Sequence, residues 1–181
     1  MKKALLILFL GVFMVPYPVA FAQRHVKHIS AWGTHLGRTD KGTFYEVSYA
    51  NYLTDKLTLR VSGLREHGEL SAAGNYLALS SRLFIAPELF RIGEAVYFHL
   101  LLGVSGAYER TNELLALENS ENDKAYRTRF TYGPQAGAEA DIFFSNRISL
   151  VVSGTKGKIF NNSHLDEWPG YAALGLRYHC R

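Results

Sequence analysis

The run Phe130-Thr131-Tyr132-Gly133-Pro134-Gln135-Ala136-Gly137-Ala138-Glu139-Ala140-Asp141-Ile142 decides how the rest of the chain is read. Taken with period two, Phe130, Tyr132, Ala136, Ala138, Ala140 and Ile142 share one face. Thr131, Gly133, Gln135, Gly137, Glu139 and Asp141 share the other. Successive side chains of a strand point to opposite faces, so the alternation predicts a strand with one apolar and one polar surface. Two architectures use such a strand. A soluble sandwich buries the apolar face and solvates the polar one. A membrane barrel sets the apolar face in lipid and the polar face in a lumen. Glu139 and Asp141 among small glycines suit a lumen that leaves just enough room for side chains, as eight strands do.

The same pattern recurs on both sides of this run. Ile148, Leu150 and Val152 oppose Arg147, Ser149 and Ser153; Leu57, Leu59 and Val61 oppose Thr58, Arg60 and Ser62. Leu77, Leu79, Leu83 and Ile85 oppose Ala78, Ser80 and Arg82. Val96, Phe98, Leu100, Leu102 and Val104 oppose Tyr97, His99, Gly103 and Ser105. Ala172, Leu174, Leu176 and Tyr178 oppose Tyr171, Ala173, Gly175, Arg177 and His179. Two weaker segments, about residues 28–36 and 43–53, bring the count to about eight, each roughly the ten residues a tilted membrane strand needs. On the polar faces, Arg60, Arg82, Glu139, Asp141 and Arg177 are expected to form ion pairs in the lumen.

The connections alternate in kind. Thr54-Asp55-Lys56 and Ser145-Asn146 read as tight turns, and residues 86–94, with Pro87, as a moderately short link. Residues 37–42, 66–74, 109–124 and 157–169 read as longer polar links. Short turns on one side and longer links on the other is the layout of an outer-membrane barrel. An even strand count puts both termini on the short-turn, periplasmic side, and closure removes exposed sheet edges. Leu114-Leu115-Ala116-Leu117 within the third link could form one short amphipathic turn, ahead of an acidic stretch at 118–123.

Met1-Lys2-Lys3, the apolar run over residues 4–15, Pro16, Pro18 and Ala20-Phe21-Ala22 form a Sec-type leader with cleavage before Gln23. The run is shorter than the roughly 20 residues of a membrane helix, and no cysteine follows it to carry a lipid anchor. Of 181 residues, 48% are apolar and 20% charged, so a disordered chain is excluded. Eleven Tyr, eleven Phe and 16 Gly against 5 Pro favour a β protein. One cysteine, Cys180, excludes an intrachain disulfide framework and a multi-cysteine zinc site; a pairing with another chain stays open. The formal charge of +4 falls by two with the leader, so nothing predicts nucleic-acid binding.

A family resemblance adds to this. Ala107-Tyr108-Glu109, Tyr132-Gly133, Gly137 with Glu139, Ser145-Asn146-Arg147, Gly154, and the ending from Gly170 to Tyr178 with Gly175-Leu176-Arg177-Tyr178 follow one another at spacings that resemble the TraO family of Bacteroides-type conjugative transposons. The leader followed by Gln23-Arg24 is similar too. The likeness spans most of residues 23–181, strongest from about 95 onward, and is carried by motif order. It implies an exported, barrel-like protein of a conjugation apparatus and no catalytic residue. The sequence departs from many barrels by ending Tyr178-His179-Cys180-Arg181 rather than on an aromatic residue.

Candidate chemistry is sparse. His25, His28 and His35 near the leader read as a solvated terminus, since seven residues put His28 and His35 on opposite faces. His99 and Ser105 share a face but stand about 20 Å apart at roughly 3.3 Å per residue, too far for a hydrogen-bonded dyad. Asn161-Asn162-Ser163 matches a glycosylation sequon that a bacterial protein makes incidental, and no Walker or dinucleotide pattern occurs. Tyr45, Tyr49, Tyr52, Phe84, Tyr97, Phe98, Tyr108, Tyr126, Phe130, Tyr132 and Tyr178 cluster towards segment ends, as interfacial girdles do.

The expectation is an all-β protein: residues 1–22 a cleaved leader, residues 23–181 one antiparallel up-and-down β-barrel of about eight strands, of outer-membrane type. Its expected place is the outer membrane of a Gram-negative bacterium. The resemblance implies a structural or interaction role in conjugal DNA transfer, with outer-membrane lipid and other conjugal transfer proteins as partners. No direct nucleic acid, small-molecule substrate, cofactor, metal or catalytic residue is expected. The competing readings are a surface barrel of adhesin or immunity type and a lipid-modifying barrel enzyme. A soluble periplasmic β-sandwich is the structural alternative.

Overall fold

The computed structural model describes residues 29–70, 74–113, 125–161 and 167–180. The leader, His25, His28, the 114–117 turn and most of the sequon lie outside them. The described chain forms eight strands: β1 (Ser30–Thr39), β2 (Gly42–Thr54), β3 (Leu57–Leu70), β4 (Gly74–Ile92), β5 (Val96–Glu113), β6 (Ala125–Phe143), β7 (Ile148–Gly157) and β8 (Gly170–Cys180). Each pairs antiparallel with the next, and β8 returns to β1 from Ser30↔Cys180 to Thr39↔Tyr171, closing a barrel. The outer ends of the first and last strands therefore meet on the short-turn side.

The alternation read from sequence is the alternation of burial. Gln135, Glu139 and Asp141 are enclosed, while Phe130, Tyr132 and Ala136 face outward. The outer surface is an apolar belt between two rings of aromatics. Trp32, Tyr178, Phe90 and Phe144 stand towards the short-turn rim; Tyr108, Phe130, Tyr132, Phe160 and Trp168 stand towards the other. Phe98 and Tyr108 lie ten residues apart on β5. At about 3.3 Å per residue and a tilt near 40°, that is about 25 Å, the height of the apolar band of a membrane barrel. Tyr52, Phe84 and Tyr97 belong to no girdle: they point inward and are almost wholly enclosed. The side chain of Tyr126 lies outside the described residues.

Several expected links are strands instead. β1 runs to Thr39 and β2 starts at Gly42, so 37–42 shrinks to a turn at Asp40-Lys41. β3 and β4 extend to Leu70 and from Gly74, where Leu70↔Gly74 closes their register. The stretch 86–94 is mostly β4, and Pro87 pairs in register with Leu57. The β4–β5 register shifts between Glu88 and Phe90, and an irregularity is where a strand tolerates a residue without an N–H. Wide gaps between the described strands thus fall at 114–124 and after Gly157. In the latter, Lys158 to Phe160 run along β6, with Phe160 bridged to Tyr132. Asn161 ends that run in the left-handed region (φ 76°), its side-chain amide donating to the Phe130 carbonyl at 2.7 Å.

The wall is uneven. β4, β5 and β6 have 18 or 19 residues, whereas β1, β7 and β8 have 10 or 11. One side of the barrel therefore stands well above the other at the long-link rim.

Candidate functional site

Inward glycines make room for inward charge. A Cβ on Gly103 would run into the Leu83 carbonyl and the Phe84 ring; one on Gly175 would meet His35 and the Thr34 carbonyl. Between such positions the mid-lumen holds a continuous chain of ions. Arg60 donates to Glu46 and to Glu139. Arg177 donates to the other Glu139 oxygen and to Asp141, both at 2.7 Å. Arg82 approaches the second Glu46 oxygen at 3.7 Å, its guanidinium 3.9 Å from the centre of the Tyr171 ring. Three arginines meet three carboxylates, so the chain is neutral, and every member is at most 3% exposed. Desolvating single ions would cost several kcal/mol each; mutual neutralisation and shared hydrogen bonds offset that. Side chains from β2, β3, β4, β6 and β8 meet across the axis, and the lumen is closed at this height.

The five charged residues picked from the alternation all belong to this chain. Glu46, its sixth member, was missed because β2 read as a weak segment. The signal was present: Glu46 and Ser48 alternate with Tyr45 and Val47. His35, expected in a solvated terminus, lies inside β1 and is buried at 1% exposure.

At the short-turn end, Ser149 on β7 and His179 on β8 lie 3.1 Å apart, with the Tyr52 hydroxyl 3.4 Å from the other imidazole nitrogen. A serine–histidine pair from neighbouring strands is the arrangement a hydrolase would need. Here Ser149 is fully enclosed, and the Phe143 ring packs 4.7 Å from the imidazole. The Ser149 hydroxyl is thus closed off from solvent at the short-turn end of the lumen. His99 and Ser105 stay apart: Ser105 receives a hydrogen bond from Gln135 at 3.0 Å.

At the long-link end the lumen remains polar. Thr39 and Tyr76 both donate to Glu66 at 2.7 Å, and Thr131 donates to Glu109 at 3.0 Å. Above this layer a cleft of about 900 Å³, lined by Arg38, Asp40, Lys41, His67, Glu69 and Tyr76 among others, opens beside the β1–β2 turn. Its charges are mixed in sign and select no ligand class.

Eight closed antiparallel strands, an apolar belt between aromatic girdles and a polar, ion-paired lumen define a small outer-membrane-type β-barrel. Solved structures of that class match. A major outer membrane protein from Thermus thermophilus aligns with TM-score 0.68 at 12% identity, covering 84% of this chain and 99% of that one. Ail, the attachment invasion locus protein of Yersinia pestis, aligns with TM-score 0.56 at 16% identity, covering 85% and 99%. The outer membrane enzyme PagL aligns with TM-score 0.51 at 13% identity, covering 82% and 98%. No family model and no curated protein matches the sequence. At these identities the likeness is one of fold, and three neighbours so differently named illustrate that a fold hosts many functions.

Proposed function

We propose that this chain is a non-enzymatic outer-membrane barrel that serves the envelope end of a conjugation apparatus, in the manner implied by its resemblance to the TraO family. The observation that carries the structural half of this reading is the closed lumen. A barrel crossed by the Arg82–Glu46–Arg60–Glu139–Arg177–Asp141 chain is no conduit, so its work lies on its surface and in its links. The transfer half rests on the ordered motifs, of which Glu109, Gly133, Gly137, Glu139 and Arg177 occupy lumen-facing positions. The expected partners are lipid around the belt and other transfer proteins at the 114–124 and 157–169 links.

The surface-barrel reading, of adhesin or immunity type, draws on a different observation. The tall β4–β6 wall raises one side of the long-link rim, the shape of a presenting surface. Mating frequency separates the two. A donor lacking only this gene should transfer poorly and recover with a complementing copy. Unchanged transfer, with the protein exposed on the cell surface, would favour the surface barrel.

A further inference from the structure

The outward face of β3–β6 is not a uniform belt. Gly63, Ser81, Gly106, Tyr132 and Phe160 lie in one register row across successive strands. Above the low floor of Ser81 and Gly106 stand Leu83 and Val61 on one side and Tyr132, Pro134 and Phe160 on the other. Together they enclose an apolar groove of about 650 Å³ on the belt. Nothing within the protein demands these small residues. A Cβ on Gly63 would meet nothing within 4 Å, and one on Gly106 only the edge of Phe130 at 3.4 Å. This contrasts with the inward glycines, where backbone blocks the space.

The flanks of the groove are cationic. Arg65 stands two residues beyond Gly63 on the same outward face. Lys158, its ammonium 5.6 Å from the centre of the Phe160 ring, stands beside the opposite wall. Outward strand positions towards the long-link rim carry Arg38, Arg65, Arg110 and Lys156 against Glu69; beyond the strands Lys158 adds a cation, with Asp40 and Glu167 exposed at the same rim. Outward strand positions at the short-turn rim, such as Leu53, Leu57, Phe90, Ile92 and Ile148, are uncharged. Long cationic side chains set just inside an apolar belt reach along it to the headgroup level, where anionic groups attract them.

We propose that this face seats one phosphorylated, multiply acylated lipid of the outer leaflet. An acyl chain lies in the groove over Ser81 and Gly106, and headgroup phosphates are met by Arg65 on one flank and Lys158 on the other. The proposal rests on the outer-membrane placement and is independent of the transfer role.

Diphosphoryl lipid A is the probe, titrated against the purified full-length protein in detergent micelles and read by native mass spectrometry. Folding of each variant is checked by its heat-dependent shift on a gel. The wild-type protein should retain one tightly held lipid A. The groove-filling pair Ser81→Leu with Gly106→Leu should weaken that retention at least tenfold. Arg65→Gln with Lys158→Gln should weaken it several-fold, and lipid A stripped of phosphates should bind wild type no better than it binds the charge variant. Gly154→Leu, whose Cβ would meet only the Tyr171 carbonyl at 3.9 Å on β7 away from the groove, should leave retention unchanged. Equal retention by the filled variant, equal loss in Gly154→Leu, or indifference to the phosphates overturns the proposal. So does a groove variant that loses a cross-linked dimer while keeping its lipid, which would make the face a contact between copies. Release of the native protein by a high-pH carbonate wash would instead overturn the outer-membrane placement itself.

Discussion

Glu139 joins the two halves of the ion chain, one oxygen to Arg60 and the other to Arg177. Glu139→Gln keeps the shape and removes the charge, leaving two buried guanidinium groups short of a partner. Breaking a buried pair from one side costs about 3–5 kcal/mol. The variant should therefore unfold at clearly lower urea concentration in micelles, read by tryptophan emission. Gly103 and Gly63 make a matched second test. Gly103→Ala drives a methyl into the Leu83 carbonyl and should cut the yield of folded barrel. Gly63→Ala enters open space and should lie within about 1 kcal/mol of wild type, slightly stabilising through the unfolded chain. Equal effects at the two positions would contradict the crowded-lumen account.

At the scale of the strand and its connections, β5 and β6 stay in register from Val96↔Ile142 to Glu113↔Ala125. That pairing holds the base of the 114–124 link without help from the link itself. Replacing residues 114–124 with a short turn should leave folding intact within about 1 kcal/mol, since loop length enters stability only logarithmically. It should also reduce mating frequency if that link meets a transfer partner. Normal transfer by the shortened protein would remove the contact and leave the barrel standing. The same strands show where sequence reading stops. In this barrel, alternation marks a strand where one face meets lipid and the other the lumen. Glu66-His67-Gly68-Glu69 and the stretch around Arg38 rise towards the rim, where the outer face too turns polar, so their β3 and β1 continuations read as links. Pro87 punctuated β4 in sequence, yet the strand absorbs it beside a register irregularity. Within the site, Arg60, Arg82, Glu139, Asp141 and Arg177 were legible as inward charges. Which carboxylate meets which arginine was not, because it depends on how strands distant in sequence face each other across the axis.

For the molecule as a whole, a lumen closed at mid-height predicts no stable conductance steps in planar bilayers, whereas an open channel would require the ion chain to part. The belt makes a further demand that the native residues can report. The chain has two tryptophans, and both face outward: Trp32 at 55% exposure near the short-turn rim and Trp168 at 52% near the opposite rim. Tryptophan at the two ends of the belt belongs at the two membrane interfaces. The most direct measurement is fluorescence quenching in vesicles of brominated lipids, with Trp32→Phe and Trp168→Phe isolating each indole. Both indoles should be quenched strongly by bromines placed near the headgroup end of the acyl chains and less by bromines at the bilayer centre. Emission from either indole that ignores brominated lipid and yields only to aqueous quenchers would contradict the membrane-spanning barrel.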